Sequence, residues 1–483
     1  MILETSRLAE KIGRWRRIGG PFYAAKGALV LLAWFFSALV SGCGPQLQPL
    51  MGMPLPGLSD NEMEQFDAGH VAFTKQFVKE EGLGPLFNDF GCADCHNFPV
   101  AGGFSHRTNT RFGRAGTPFE ALTDQGGTVF QFQFTVPSCE EFLPREADVF
   151  AKRGTTHLFG SGLVEAVADE TLVQLQSGKG HVAGRVNWVI PLGGGAKRAG
   201  RFGWKSQLAT LLDFSADAAL EELGLTNRLM PNENAPNGDR SKIAAGDFMA
   251  DPEDRPDDEG LSMIDRFTHF QRYLAPPPQT PRSGMVGERF FNQVGCAECH
   301  VPELTTGEHE ISALSRKRFK PYSDFLVHDM GSLGDGIAEG QATERMMRTA
   351  PLWGLAARGA LLHDLMSTGG SFAENLISAV SRHAGDAQWS RDQFLALEEN
   401  DRADLIDFLH SLGRAEFDWD RDYDVDGDDL NAFLRALSND QDVVEADDAE
   451  AVFDVDQNGR LDFTDFGALL RAIRQSRAAK GDL

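Results

Sequence analysis

The chain has 483 residues, of which 42% are hydrophobic and 24% are charged, as in a globular protein of two or three domains. Its formal net charge is −25, which argues against nucleic acid and anionic lipid surfaces as partners. Cationic proteins, metal ions and small neutral substrates are compatible with this charge.

The N-terminal segment has the features of a bacterial lipoprotein signal. Basic residues precede the apolar run ALVLLAWFFSALV at 28–40, which is shorter than the ~20 apolar residues of a membrane span. VSGC at 40–43 resembles a lipobox, although an uncleaved anchor helix is the alternative. We therefore predict a signal peptide over 1–42 and lipidation of Cys43, which would attach the protein to a membrane. The expected location is the bacterial envelope, facing the periplasm or in the outer membrane.

The first predicted elements of the body are a tether and a helix. Residues 43–59 are rich in Pro and Gly and are predicted to form the tether. A helix is predicted over 60–81 because apolar residues recur there at helical intervals. These residues are Phe66, Val71, Phe73, Phe77 and Val78. The following stretch, 98–135, favours loops and short strands.

A proline-rich stretch at 274–284 predicts a boundary between two domains, because three consecutive prolines exclude helix and form a stiff connector. The second domain is predicted to begin with a short helix. Its closing helix is predicted over 391–412, as a lid over a cofactor. The apolar residues of that helix are Leu395, Leu397, Leu405, Ile406, Phe408 and Leu409.

A six-residue motif occurs twice, as GCADCH at 91–96 and GCAECH at 295–300. A zinc site needs four ligands and each motif offers three adjacent ones, while a thioredoxin-type dithiol needs a βαβ context. The third interpretation is covalent attachment of haem c, in which two thiols bind the vinyl groups and the adjacent histidine binds the iron. The repetition favours two haem c groups, with His96 and His300 as proximal ligands. The attachment residues would be Cys92, Cys95, Cys296 and Cys299.

Two acidic twelve-residue stretches near the C-terminus, 418–429 and 454–465, match the spacing of calcium loops. An acidic solvated tail is the alternative, but the apolar Val425 and Leu461 at position 8 of each loop favour calcium. Two Ca²⁺ ions are therefore predicted, the second more firmly because Tyr423 replaces the usual glycine at position 6 of the first loop. The predicted side-chain ligands are Asp418, Asp420, Asp422, Asp426 and Asp429, and Asp454, Asp456, Asn458, Asp462 and Asp465, while Asp424 and Arg460 offer backbone carbonyls. The module resembles dockerins, which implies a cohesin-like partner.

Several further segments, together with the two CxxCH motifs, resemble the di-haem oxidoreductase family over about residues 60–414. That family is labelled peroxidase or thiol oxidoreductase-like and is distantly similar to bacterial di-haem cytochrome c peroxidases. The segments are GRFGWKSQ at 200–207, ELGLTN at 222–227, YSDFLVHDMG at 322–331 and RTAPLWGLAARGALLHD at 348–364.

The resemblance implies roles for individual residues. His96 and His300 match the proximal ligands, and a second axial ligand of the haem on His300 is expected at His383, with Met330 as the rival. Peroxide cleavage needs an acid–base group beside an open iron face, and His157 and Glu165 in HLFGSGLVEA are the candidates. A structural pairing of Glu165 with an arginine is the alternative. Trp204 is expected either between the haems or in the core.

We therefore expect a mainly α fold with two cytochrome c-like haem domains, 60–273 and 285–414, irregular loops and short strands. A small C-terminal module of paired calcium loops and helices is expected over 415–476. The expected function is that of an exported, lipid-anchored, peroxidase-like di-haem c-type oxidoreductase, whose partners are a redox donor protein or a small oxidant such as peroxide. The alternative is a non-catalytic di-haem electron-transfer cytochrome docked to an envelope partner through the calcium module.

Overall fold

The computed structural model describes residues 45–176, 180–281, 284–438 and 443–479. The predicted signal peptide and Cys43 lie outside the described residues. Among the residues described, no helix has the length and apolar character needed to cross a membrane. The described chain divides into a larger compact unit, residues 48–415, and a smaller one that combines residues 45–47 with 416–438 and 443–479.

Helix predominates over strand, with 37% helical and 11% extended residues in the described chain, so the fold is mixed with an excess of helix. The helices are α1 Asp60–Phe73, α2 Cys92–Cys95, α3 Ser161–Glu165, α4 Asp169–Leu175, α5 Leu211–Leu223, α6 Ile243–Gly246, α7 Met263–Tyr273, α8 Val286–Gln293, α9 Phe372–Ser381, α10 Gln388–Ala396, α11 Glu399–Ser411, α12 Gly427–Ser438 and α13 Phe463–Ala479. Single 3₁₀ turns include Cys296–Glu298. The strands are β1 Leu86–Phe87, β2 Thr108–Gly113, β3 Val129–Phe130, β4 Gln133–Phe134, β5 Val149–Gly154, β6 Trp188–Val189, β7 Arg198–Ala199, β8 Leu304–Thr305, β9 Arg318–Phe319, β10 Val327–Asp329 and β11 Met346–Arg348.

The largest described sheet has three antiparallel strands in the order β3-β2-β5. The pairing of β2 with β5 runs from Thr108 opposite Gly154 to Gly113 opposite Val149. The other strands form antiparallel pairs, β1 with β4, β6 with β7, β8 with β9 and β10 with β11. The long β2–β5 ladder provides a rigid support for Arg111 and Arg153, which reappear below.

Helices α1 and α7 cross at close range in the first half of the larger unit. Ser59 starts α1 with a capping box, in which its backbone N–H donates to the Glu62 carboxylate at 2.7 Å. Gly69 permits the close approach, because a Cβ there would lie 2.6 Å from the Arg266 carbonyl oxygen of α7. The rings of Phe73 and Phe270 then pack with centroids 4.7 Å apart.

The predicted helix 60–81 is shorter in the structure, since α1 ends at Phe73. The Thr74 hydroxyl donates to the His70 carbonyl at 2.9 Å, and beyond it the Phe77 N–H donates to the Phe90 carbonyl at 2.7 Å instead of to the helix. Val71 lies on the outer face of α1 and is 70% exposed, and Val78, beyond the end of the helix, is 50% exposed. Neither belongs to the predicted apolar face.

A second crossing, between α8 and α11, repeats the first. A Cβ at Gly287 of α8 would lie 2.0 Å from the Asp404 carbonyl oxygen of α11, and Phe291 packs on Phe408 with centroids 5.6 Å apart. The predicted single helix 391–412 is divided, because Leu397 and Glu398 are extended between α10 and α11. Acidic residues at the start of α11 favour a new helix N-terminus there.

The first part of the proline-rich stretch, residues 274–278, is buried. Leu274 and Ala275 are fully buried, and the Ala275 N–H donates to the Met53 carbonyl at 2.9 Å. The Leu55 N–H likewise donates to the Tyr273 backbone carbonyl at 2.8 Å. Part of the predicted tether 43–59 is therefore packed against the core. The two predicted haem domains consequently form one compact unit.

A buried ionic cluster joins the two halves of this unit. The Asp335 carboxylate forms ion pairs with the Arg153 guanidinium of β5 at 2.7 Å and with the Lys205 ammonium at 2.8 Å. All three side chains are at most 3% exposed. The Glu339 carboxylate forms a second ion pair with the Arg153 guanidinium, at 2.9 Å. Burial alone would raise the pKa of Asp335, but the two cations lower it below its ordinary value.

The smaller unit packs helices α12 and α13 around an aromatic core that includes Phe417, Phe433 and Phe453. Val425 and Leu461, at position 8 of the two predicted calcium loops, are buried in this core. Tyr423 has φ 74° and Gly459 has φ 77°, so the backbone of both loops takes the left-handed turn at position 6 despite the tyrosine.

The buried ionic cluster generates a stability prediction. Asp335→Asn leaves Arg153 and Lys205 without their shared counter-charge, and we expect the free energy of unfolding of the cofactor-loaded protein to fall by about 3–5 kcal/mol. The measurement is chemical denaturation at neutral pH. Glu303→Gln, which removes an exposed partner of Arg318, is the control and should cost less than about 1 kcal/mol. Equal effects of the two substitutions would contradict the prediction.

Candidate cofactor sites

The first CxxCH motif forms one wall of a cavity of about 270 Å³. Cys92 to Cys95 make the single helical turn α2, and the His96 N–H closes it by donating to the Cys92 carbonyl at 3.0 Å. This turn directs both thiols and the imidazole into the same cavity. Phe73, at the end of α1, lies against the imidazole with ring centroids 6.0 Å apart.

The His96 imidazole has the orientation that an iron ligand requires. Its Nδ1 lies 3.3 Å from the Gly103 carbonyl oxygen, and because a carbonyl only accepts, Nδ1 carries the proton. Burial lowers the pKa of His96 to about 4, so the ring is neutral and its Nε2 lone pair is free to bind a metal.

The second motif repeats this arrangement at a second cavity, of about 190 Å³. The His300 N–H donates to the Cys296 carbonyl at 2.9 Å, and the His300 Nδ1–H donates to the Tyr322 carbonyl at 3.0 Å. Burial lowers the pKa of His300 to about 4. Cys296, Cys299 and His300 all line the cavity.

The thiols of the two motifs are unpaired in the structure. All five described cysteines are free, and burial raises the pKa of Cys92 and of Cys296 to about 12. Such thiols are poor redox nucleophiles. The groups of side chains in the described chain that could hold a metal ion consist of carboxylates and include none of these cysteines, so the zinc and dithiol alternatives gain no support. Cys139 is separate and fully buried.

The second cavity contains both predicted candidates for a further axial ligand. His383 and Met330 line it together with His300, and His328 and His363 line it as well. The His383 Nδ1–H donates to the Ala379 carbonyl of α9 at 2.9 Å. This leaves the His383 Nε2 lone pair available, the same arrangement as in His300, and favours His383 over Met330.

The first cavity differs in its side chains. Of the described residues that line it, His96 is the only one with an imidazole or a thioether. Asp217, Glu221 and Glu222 of α5 line it instead, with Arg111 of β2. Burial raises the pKa of Asp217 and of Glu221, and Arg111 offsets part of the shift in both. The Asp217 carboxylate raises the pKa of Glu221 further.

These carboxylates were missed in the sequence, although a signal exists. Asp213, Asp217 and Glu221 are spaced by four residues in LLDFSADAALEEL, which places them on one face of a helix. The sequence analysis overlooked this row of carboxylates because most other residues of the segment are apolar. Glu222 is held by amide donors, from Asn88 at 2.7 Å and Asn109 at 3.0 Å.

The predicted acid–base pair is not brought together. Glu165 accepts Arg272 at 2.7 Å and the Leu211 N–H at 2.8 Å, and it lines neither CxxCH cavity. The position therefore favours the alternative, a structural ion pair. His157 lies in a separate small cavity of about 50 Å³, where burial lowers its pKa to about 3.

Trp204 lies between the CxxCH cavities, and two arginines lie near it at the second. Trp204 lines both cavities and is fixed by its indole N–H, which donates to the Gly154 carbonyl at 2.9 Å. The Arg358 guanidinium lies 5.1 Å from the Trp204 ring centroid, and Arg348 lines the second cavity beside it.

The polar groups around the cavities fit a cofactor that carries carboxylates. Burial lowers the pKa of Arg348 to about 10 and that of Arg358 to about 10, so both remain cationic at neutral pH. Neither forms an ion pair within the described ranges; Arg348 donates to the Gly203 carbonyl and Arg358 to the Ala360 carbonyl. Arg111 Nε and Trp353 Nε1 are also buried without a hydrogen-bond partner there. The two propionates of a haem would supply the missing anions and acceptors.

In each of the two acidic loops of the smaller unit, three aspartate side chains converge. Oxygen atoms of Asp418, Asp420 and Asp422 lie within 4.8 Å of one another, as do those of Asp454, Asp456 and Asp465. The last residue of each loop caps its own chain, since Asp429 accepts the Trp419 N–H and the Asp426 N–H. Asp465 accepts the Val455 N–H and the Asp462 N–H in the same way.

Comparison with known proteins supports the resemblance found in the motifs. Residues 140–412, more than half of the chain, match the family described as "Di-haem oxidoreductase, putative peroxidase". No curated protein matches significantly. A solved structure of hydrazine synthase from Kuenenia stuttgartiensis, pressurised with xenon, is similar to 77% of this chain and 97% of that chain at 13% identity. Its TM-score is 0.32, too low to carry an argument. On the strength of the family match, the chain belongs to the di-haem oxidoreductase family.

Proposed function

We propose that the protein is a peroxidase-like di-haem c-type oxidoreductase with one haem open to a small oxidant and one haem that relays electrons. The observation that carries this proposal is the asymmetry of the two CxxCH cavities. Besides His300, the second contains His383 and Met330 as possible further iron ligands. The first offers carboxylates and three arginines around a single imidazole, among the residues described.

In this proposal each CxxCH turn holds one haem c. Cys92 and Cys95 bind the first group covalently and Cys296 and Cys299 bind the second. His96 and His300 bind the irons through Nε2, while their Nδ1–H hydrogen bonds fix the ring orientation. When bound, the two haems supply the one-electron redox chemistry and the site where an oxidant binds.

Asp217 and Glu221 are proposed to move the proton in the first cavity. Reduction of peroxide to water takes two electrons and two protons, and a carboxylate must shift a proton from one peroxide oxygen to the other before the O–O bond breaks. A raised pKa brings these carboxylates closer to neutral pH, which suits that task. Arg111, on the same wall, is a cation that can orient an anionic oxidant or a propionate.

The second haem is proposed as the entry point for electrons. His383 would complete its coordination, and a six-coordinate iron reorganises little when it changes oxidation state. Trp204 lines both cavities and therefore offers an aromatic contact between the two groups. A redox donor protein would deliver the electrons.

The smaller unit is proposed to bind two Ca²⁺ ions at residues 418–429 and 454–465. Support comes from the clustered aspartates and from the left-handed backbone at Tyr423 and Gly459. A docking role towards a cohesin-like partner is the further proposal. Capture of an envelope protein that is lost on chelation would support it, and capture that is insensitive to chelation would contradict it.

Envelope attachment through a lipid on Cys43 remains a proposal from the sequence. Mass spectrometry of the mature N-terminus tests it. An acylated cysteine at position 43 is expected, and an unmodified Met1 in exported protein would contradict it.

The proposed function is tested by the haem content and by the ferric spectrum. We expect two haems per chain by pyridine haemochrome, and one haem in Cys92→Ser/Cys95→Ser and in Cys296→Ser/Cys299→Ser. The wild-type spectrum should contain a high-spin component that shifts on addition of peroxide or cyanide. Two low-spin haems unreactive to both would instead identify an electron-transfer cytochrome. Cys139→Ser, which changes a buried thiol outside both cavities, is the matched control for haem content.

The second axial ligand of the relay haem is predicted from the second cavity. We expect His383→Ala to convert the low-spin component of the ferric spectrum to high spin, because the iron loses the Nε2 ligand. Met330→Leu should leave that component unchanged. The opposite pair of results would assign the ligand to Met330.

The proton-transfer role of Glu221 predicts a pH-dependent phenotype. A raised pKa means that the reactive carboxylate form appears as pH rises, so wild-type kcat/KM for peroxide should increase with a midpoint above the ordinary Glu value of ~4.3. Glu221→Gln should lower kcat/KM by about 10²–10⁴-fold and abolish that limb of the pH profile. Glu170→Gln, at an exposed site on α4, should alter neither quantity. An unchanged pH profile in Glu221→Gln would exclude this role.

A further inference from the structure

A second group of carboxylates lies in the larger unit, away from both CxxCH cavities. Glu233, Asp247, Asp251 and Glu253 come from the segment between α5 and α7, and each offers an oxygen within 4.8 Å of the others. None of the four lines either CxxCH cavity. Four like charges at such separations repel strongly unless something neutralises them.

Glu233 is the member that most needs a partner. Glu233 is 3% exposed, and within the described chain no N–H or hydroxyl group donates to either of its buried carboxylate oxygens. An unpaired carboxylate in such a position costs several kcal/mol. A bound cation would neutralise Glu233 in this position.

The nearby basic side chains do not supply that charge. The Arg240 guanidinium donates to the Glu233 backbone carbonyl at 3.5 Å and not to a carboxylate. Arg255 donates to the carbonyls of Pro252 and Ala250. Within the described ranges, none of the four carboxylates forms an ion pair with a lysine or an arginine.

We propose that Glu233, Asp247, Asp251 and Glu253 form a site for one divalent cation, with Ca²⁺ as the preferred ion. Carboxylate oxygens are hard ligands, which suit Ca²⁺, Mg²⁺ and Mn²⁺ better than metals that prefer nitrogen or sulfur. Ca²⁺ accepts 6–8 oxygens at ~2.3–2.6 Å in flexible geometry, whereas Mg²⁺ demands a near-ideal octahedron and retains waters. Four carboxylates that can each bind through one or two oxygens match the Ca²⁺ requirement.

Neighbouring groups already orient the proposed ligands. The Thr226 N–H donates to Glu253 Oε2 at 2.9 Å, and the Thr226 hydroxyl also contacts that oxygen and Asp251 Oδ1. The Met249 N–H donates to Asp247 Oδ1 at 3.0 Å. These bonds each leave a second carboxylate oxygen for the ion, so the site is partly preorganised.

The position of the site indicates what the ion would do. Thr226 follows the end of α5 by a few residues, and Asn227 donates to the Ala216 carbonyl within that helix at 3.0 Å. A cation held by Glu253 and Glu233 would therefore tie the segment 233–253 to the C-terminal end of α5. The same helix carries Asp217 and Glu221 into the first cavity.

The experiment must separate this site from the two C-terminal loops. The full-length, haem-loaded protein is changed at Asp418→Ala, Asp420→Ala, Asp454→Ala and Asp456→Ala, stripped with chelator and dialysed against Ca²⁺, and bound calcium is counted by elemental analysis. We expect one Ca²⁺ per chain. Adding Glu233→Gln should weaken this binding by about tenfold or more, whereas Asp258→Asn, at an exposed aspartate of the adjoining loop, should not. Binding of no ion, or equal binding with Glu233→Gln, would overturn the proposal.

Thermal unfolding on the same background distinguishes a cation ligand from a structural glutamate, because only a ligand makes the unfolding temperature depend on Ca²⁺. In chelator, Glu233→Gln should unfold at the same temperature as its parent or higher, because the substitution removes a repelled charge. In Ca²⁺ the parent should gain stability by ligand linkage and the variant should not, so the order reverses. A lower unfolding temperature of the variant in both conditions, with no Ca²⁺ response of the parent, would identify Glu233 as a structural residue and contradict the site.

Discussion

The close crossing of two helices, which occurs once in each half of the larger unit, is the constraint on which the cofactor cavities depend. Gly69 and Gly287 allow the backbones of the paired helices to touch, and the phenylalanines that follow, Phe73 and Phe291, fill the contact. The first of these rings also abuts the His96 imidazole. Any larger side chain at either glycine would push the helices apart, because the nearest atom is backbone and cannot move aside. The CxxCH turns are thus packed near helix crossings that tolerate few substitutions at these two glycines.

The two halves share the helix crossing beside a CxxCH turn but differ in the other elements that line each cavity. The first half adds the β2–β5 ladder and helix α5, which bring charged side chains to the cavity wall. The second adds the loops around β10, β11 and α9, which bring imidazoles and thioethers. Two cavities built around the same motif therefore differ in their side chains, with carboxylates and arginines in the first and further imidazoles and thioethers in the second. The proposed division into a reactive site and a relay site rests on this difference.

The sequence predicted the local chemistry more accurately than the architecture. The spacing of the CxxCH motifs and the segments around Trp204 and His363 were sufficient to identify the family, since these patterns depend on a few contiguous residues. Helix ends were harder to predict. The helix from Asp60 ends early, and beyond it the Phe77 amide pairs with the Phe90 carbonyl in the loop before α2. Leu397 and Glu398 interrupt the closing helix. Asp217 and Glu221 were missed and Glu165 was chosen in their place, because only the folded chain decides which carboxylate meets an arginine and which faces a cavity. Arg348 and Arg358 lie in a quoted family segment, yet their lack of anionic partners becomes visible only in three dimensions.

The proline-rich stretch around Leu274 and Ala275 lies in the interior of the larger unit, and this has a consequence for the history and the dissection of the molecule. An interior connector cannot lengthen or shorten freely, so insertions that ordinary hinges accept would here disturb packing on both sides. Either half produced alone would expose the apolar surface that the other now covers. Because residues of both halves pack into one hydrophobic cluster, we expect neither half to fold well when produced alone.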